Sequence, residues 1–161
     1  VNNFRRDYQF GAIYEQVVAE VVCEALWPGA TLAQAPTYGD LDWVAIQPSP
    51  LGEGVAKLLG ALEVKARRIS GSRFPSTIVA SRKSDAAKAF RAFFKCPSWA
   101  AIQFTDNLAL LNLLLPPDSE ELISRNDRDK AVPHSIYSHE RLDWRPDLFL
   151  EVQRRVAVLN D

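Results

Sequence analysis

Residues 59–68 read LGALEVKARR, and the alternation inside this stretch decides the fold. Leu62, Val64 and Ala66 fall on every second position, as on a strand face packed against a core. The other face carries Leu59 and Ala61, and then Glu63 and Lys65. The pattern predicts a strand over 58–66. An acid and a base on one of its covered faces need a chemical reason.

Upstream, YGD turns the chain into Leu41–Gln47, with Leu41, Trp43 and Ala45 on one face and Val44 and Ile46 on the other. Apolar residues on both faces predict a central strand. Asp42 shares the Val44 and Ile46 face, so pairing of the two strands brings Asp42, Glu63 and Lys65 to one edge. Two carboxylates at close range raise each other's pKa unless a cation lies between them. Hard oxygen donors suit Mg²⁺ or Mn²⁺, which keep several waters and bind phosphate. A neighbouring lysine can orient a water or neutralise phosphoryl charge. These are the parts of metal-assisted phosphodiester hydrolysis. Asp40, on the same face as Asp42, is the alternative ligand. A turn role in YGD suits it better, because the apolar strand follows Asp42 directly. The plain alternative for Glu63 and Lys65 is a solvated edge pair that deters aggregation.

Around this pair the periodicity predicts a helix from about Phe4 to Leu26, stopped by WPG, and a short strand within 30–35. A basic loop with a strand over Thr77–Ala80 follows, leading to a helix capped by Ser84 and running to about Lys95. That helix would bury Ala86, Ala89, Phe90, Phe93 and Phe94. Strands are expected over Trp99–Phe104 and Leu108–Leu115, joined by TDN. The polar stretch 116–133 suggests a short helix and loop. Pro146 opens a last helix through Leu159, with Leu148, Val152, Val156 and Leu159 inside. The sum is a mixed α/β sheet with helices packed against it.

A chain of 161 residues, 47% hydrophobic and 24% charged, is one ordinary globular domain's worth, which argues against disorder or a fibrous fold. Cys23 and Cys96 lie too far apart for a paired motif and read as buried free thiols, favouring a reducing, cytoplasmic setting. No signal-peptide pattern opens the sequence, and the most apolar run, Leu108–Leu115, is too short to span a bilayer, so no membrane is expected. The net charge of −1 conceals an asymmetry. Residues 65–95 hold nine basic residues and one acid, Asp85, a net +8 against −9 elsewhere. Such a segment faces a polyanion, with Arg67, Arg68, Arg73, Arg82, Lys83, Lys88 and Arg91 as its phosphate contacts.

GDLDWVAI followed by LEVK resembles the PD-(D/E)XK nuclease superfamily, although Asp42 is preceded by Asp40 and Leu41 and not by Pro. Glu63-Val64-Lys65 matches the (D/E)XK part. GAIYEQVV, with Glu15, is similar to the first-helix glutamate setting of the archaeal-type Holliday junction resolvases. The resemblance implies a restriction-endonuclease-like α-β-β-β-α-β core over about 8–115, inside a single domain 1–161 with a C-terminal extension 116–161. It implies a divalent ion, Mg²⁺ or Mn²⁺, on Asp42, Glu63 and the Val64 carbonyl, with Glu15 assisting through a water or second ion. Lys65 would place the attacking water. The implied activity is that of a DNA endonuclease on duplex or branched DNA, leaving a 5′-phosphate and a 3′-hydroxyl. A homodimer is implied too, with Trp99, Leu108–Leu115 or the last helix as its apolar surface. The alternative is a nucleic-acid or protein binding module that keeps the fold without catalysis.

Overall fold

The computed structural model describes residues 2–35, 40–49, 54, 56–124 and 130–159, with side chains from residue 11 onward. Helix α1 (Asn2–Leu26) leads into strands β1 (Thr31–Gln34), β2 (Trp43–Gln47) and β3 (Lys57–Ala66). Then come β4 (Ser76–Ala80), helix α2 (Ser81–Phe94), β5 (Ser98–Gln103) and β6 (Leu108–Asn112). The chain ends with β7 (Ser119–Ile123), β8 (Val132–Ser138), the short β9 (Asp143–Trp144) and helix α3 (Pro146–Leu159).

Six strands form the main sheet in the order β1-β2-β3-β5-β6-β9. Within it β3 and β5 run parallel, and the other pairs are antiparallel. The parallel pair forces a crossover, which β4 and α2 supply. A smaller antiparallel sheet, β4-β8-β7, stands beside it. The fold is therefore a mixed α/β arrangement, a central sheet flanked by helices.

The two faces of β3 enter different cores. Leu62 and Val64 pack with Val18, Val22, Leu110 and Val152 under α1 and α3. Ala61 packs with Ile102, Leu111, Val79, Ala87 and Tyr137 on the α2 side. Glu63 and Lys65 therefore lie on the α2 face. Gly60 sits where the Trp27 ring lies against β3, and a Cβ there would stand 2.2 Å from Trp27 Cζ2. Gly60→Ala is expected to lower stability by about 1–3 kcal/mol, as overpacking does, and urea unfolding would measure it. An unchanged midpoint would mean that the ring moves aside freely.

Several expectations need correction. Ser84 does not cap α2. The helix starts three residues earlier, at Ser81, and Ser84 is buried inside it with its hydroxyl 3.2 Å from the Tyr137 hydroxyl. This earlier start turns a different face inward: Ser81, Lys83, Ser84 and Ala87 are buried, while Phe93 and Phe94 are exposed. The inward polar groups have partners. Ser81 Oγ lies 3.0 Å from Ser135 Oγ and donates to Glu120 at 3.1 Å. Phe90, Phe93 and Phe94 instead line an apolar groove of about 530 Å³ with Leu41, Val44 and Leu58.

Residues 119–123, expected as helix or loop, form strand β7, because β8 offers them an edge to pair with. Leu108, Leu110, Leu111 and Leu113 are fully buried within the chain, and of this segment Leu115 is the large apolar residue left exposed. In α3, Leu148, Val152 and Val156 are inside as expected, but Leu159 is exposed along with Leu150 and Val158. Cys23 and Cys96 are buried free thiols. Among the described residues no helix is long and apolar enough to cross a membrane.

Candidate metal centre

The site forms where β2 begins and β3 runs on past it. Their register closes at Trp43↔Leu62, whereas β3 runs on beside β5 to Ala66↔Gln103. Backbone hydrogen bonds from Ala61 to Pro97 and from Arg67 to Gln103 assign the odd-numbered amides of β3 to β5. Even-numbered residues therefore turn their N–H and C=O toward the opposite edge, because strand residues alternate. The Val64 amide donates to Asp42 Oδ2 at 3.3 Å, and the Val64 carbonyl points to that same edge. Asp42 is not in the strand, as expected, but in the bend just before it, and it is exposed.

Glu63 is 3% exposed. Its Oε1 lies 3.1 Å from Lys83 Nζ and 3.7 Å from Lys65 Nζ. Its Oε2 is buried and receives no hydrogen bond while both carboxyls are ionised, and the Glu63 carboxyl lies within hydrogen-bonding reach of the Asp42 carboxyl once it holds a proton. Burial first, and then the negative charge of Asp42, push the Glu63 carboxyl up to about 7, against the pull of Lys83. Lys65 is shifted down, mainly by burial, with Lys83 and Arg67 adding repulsion and Glu63 opposing. Glu15, on α1, has its carboxyl raised by burial and by Asp42 and held back by Lys65. The four acidic and basic positions read from the sequence thus share one electrostatic neighbourhood. Asp40 meets it through its backbone: its carbonyl accepts a hydrogen bond from Lys83 Nζ.

Lys83 is the residue that sequence reasoning misplaced. The charge pattern places it among the outward phosphate contacts, yet it is 7% exposed and faces Glu63. Its one sequence signal is its place four residues before Ala87 on the inward face of α2. The other cations spread differently. Arg82, Lys88 and Arg91 are exposed on α2. Arg67 donates to the Ile78 carbonyl at 2.8 Å, and Arg73 lies 5.7 Å from the Phe74 ring centre. Arg67 and Arg68 line a groove of about 550 Å³ with Tyr14, Glu15 and Gln103. In the loop after β3, the Gly71 amide and the Ser70 hydroxyl both donate to Asp106, at 2.8 and 2.6 Å. Those donors hold the loop to the β5–β6 turn.

Among the described residues no three His, Cys, Asp or Glu side chains converge on one point. The oxygens that lie nearest one another are hard donors: the Asp42 and Glu63 carboxylates, coupled by charge, beside the strand edge that the Val64 backbone faces. Glu63 Oε2 is an acceptor left without a donor, a state that costs about 1–3 kcal/mol unless something fills it. This set fits an ion that keeps most of its waters, as Mg²⁺ does.

No family model matches the chain. A search of curated proteins also gives no match. Among solved structures, the chain is similar to Archaeoglobus fulgidus Hjc, described as a Holliday junction resolvase from an archaeal hyperthermophile. The identity is 12%, the match covers 78% of this chain and 84% of that one, and the TM-score is 0.45. The likeness is one of loose overall fold. What the site can do rests on its own geometry.

Proposed function

We propose that the chain is a divalent-metal-dependent DNA endonuclease of the PD-(D/E)XK type. The observation that carries this reading is the grouping of Asp42, Glu63 and Lys65 at the start of β2, with the buried Glu63 Oε2 left without a donor. Asp42, Glu63 and the Val64 carbonyl would hold Mg²⁺ or Mn²⁺. The ion would supply Lewis-acid polarisation of the phosphate and a more acidic bound water. Lys65, half-buried on the same face as Glu63, orients the attacking water and offsets phosphoryl charge. Glu15, exposed on α1 and coupled by charge to Asp42 and Lys65, assists through a water or a second ion. Arg68, Arg82, Lys88 and Arg91 contact phosphates without reading sequence, which makes binding salt-dependent. The products are a 5′-phosphate and a 3′-hydroxyl.

In this reading residues 1–161 act as one nuclease-like domain, with a restriction-endonuclease-like core over about 8–115. The extension 116–161 adds β7, β8, β9 and α3 around it. A branched substrate, such as a four-way junction, and a homodimer cutting two strands belong to the same proposal.

One observation favours a second reading. The Lys83 ammonium already sits 3.1 Å from Glu63 Oε1, as a built-in cation would in a catalytically silent binding module.

The deciding experiment offers labelled single-strand, linear-duplex, flap and four-way-junction DNA to the protein with Mg²⁺, Mn²⁺ or chelator, beside Asp42→Ala. Metal-dependent cutting that the variant lacks is the expected result, and the preferred substrate names the kind of nuclease. Binding without cutting would move the reading to the silent module. Neither binding nor cutting would remove both.

A further inference from the structure

Lys83 is a buried lysine that the proposed chemistry does not use, and its two contacts span the site. Its Nζ lies 3.1 Å from Glu63 Oε1 on β3, and it donates a hydrogen bond to the backbone carbonyl of Asp40. Asp40 opens the bend that ends in Asp42. One ammonium in the first turn of α2 thus joins the strand that carries one carboxylate to the bend that carries the other. The bend is held on its other side by the Ala35 amide, which donates to the Asp42 carbonyl at 2.8 Å, and by buried Leu41. Toward β3 its ties are the Lys83 contact and one side-chain bond. β2 begins only at Trp43, and the carboxylate of Asp42 reaches back to β3 through a 3.3 Å bond from the Val64 amide, long for this type.

We infer that Lys83 is a positioning residue: it fixes the bend 40–42 against β3, so that Asp42 and Glu63 Oε2 can act on one ion together. The contact also selects between the two oxygens of Glu63. Lys83 takes Oε1 and leaves Oε2 without a donor, free to face the Asp42 carboxyl or an ion. An ammonium suits this task because it donates in three directions from one point and, unlike a planar guanidinium, serves two acceptors that lie in different planes. The carbon stem is held inside the cluster formed by α2 and the central sheet, which fixes the direction from which the charge arrives. This inference rests on the metal-site reading for its purpose but not for its geometry, and the two can fail separately.

The test uses the full-length protein, Lys83→Met, which keeps the stem, and Lys83→Arg, which keeps the charge. The first readout needs no metal. Amide hydrogen exchange of Val64 should speed up by about tenfold or more in Lys83→Met, since its bond to Asp42 depends on the bend. The Glu63 and Lys65 amides, on the β5 side, should keep their protection if the fold is intact. Equal loss of protection across β3, or no change at Val64, would overturn the inference. The second readout is Mn²⁺ binding by calorimetry. Lys83→Met should weaken it by about 10–100-fold, as loss of a supporting contact does, while cutting at saturating Mn²⁺ falls less. Lys83→Arg should recover part of the affinity. Tighter Mn²⁺ binding in Lys83→Met would mean that the lysine competes with the ion, and would overturn the inference. If the unaltered protein binds no Mn²⁺, the metal-site reading fails, and the Val64 amide still decides the role of Lys83.

Discussion

If the proposed nuclease reading holds, Glu63→Gln is expected to lower metal-dependent cleavage by at least about 10³-fold, the scale of losing a charge that the transition state requires. The amide is nearly isosteric and keeps an acceptor for Lys83, so the loss would report charge at the metal position and not collapse of the strand. The pH dependence of the unaltered protein gives a second view of the same group. Burial and Asp42 lift the Glu63 carboxyl to about 7, so at lower pH it carries a proton in the metal-free protein. A ligand must shed that proton before it binds. Apparent metal affinity should therefore fall by up to about tenfold per pH unit below 7 and level off above it. Metal titrations at pH 5.5, 6.5 and 8 would measure this. A flat profile, or a Glu63→Gln protein that cuts at the normal rate, removes Glu63 from the site.

The second large effect is on stability. Lys83→Ala should cost about 3–5 kcal/mol at pH 8, the penalty for breaking a buried ion pair and leaving one charge behind. The sign of the pH dependence follows from the direction of the Glu63 shift. Its pKa is higher folded than unfolded, so between about 4.5 and 7 the folded state holds the extra proton. Stability from this group is present below 4.5 and declines as pH rises through 7. Without Lys83 the carboxylate loses its main counter-charge, and the decline steepens on the alkaline side. At pH 5 Glu63 is neutral in the folded protein, and Lys83→Ala should cost only about 1–2 kcal/mol, close to lost packing and a lost hydrogen bond. Urea unfolding at the two pH values gives the comparison. Equal losses at both would show that the ammonium's charge contributes nothing.

The strand pair that holds the site was legible because its signal is local. Alternation along 58–66 and 41–47 needs no knowledge of what packs above, and β3 and β2 lie where it placed them, within two residues. The last helix was legible too, since Pro146 and the spacing of Leu148, Val152 and Val156 agree. Helix α2 was misread because an apolar stripe is a poor guide when partners are distant. Ser81, Ser84 and Lys83 go inward only because Ser135, Tyr137 and Glu63 wait there, from positions far along the chain. The aromatic stripe is consequently left on the rim of a groove. Strand β7 was hidden for a related reason: its burial pattern is almost wholly exposed, and pairing with β8 makes it a strand without any core signal. The acids and bases of the site were legible as residue types in order. That Lys83 belongs with them was not, because charge alone does not tell an inward lysine from an outward one.

The parallel placement of β3 beside β5 has a consequence for how the molecule assembles. The β2–β3 hairpin joins near neighbours in the chain, whereas β3 and β5 meet only after about thirty intervening residues have closed over the sheet. Lys83 travels in that intervening segment. A hairpin that pairs before the crossover docks would bring the two carboxylates together with only Lys65 beside them, and Lys83 would join when α2 packs on the sheet. The crossover is in this sense a latch: the same packing that sets β5 beside β3 also brings the Lys83 ammonium to Glu63, so sheet geometry and charge balance at the site depend on one connection.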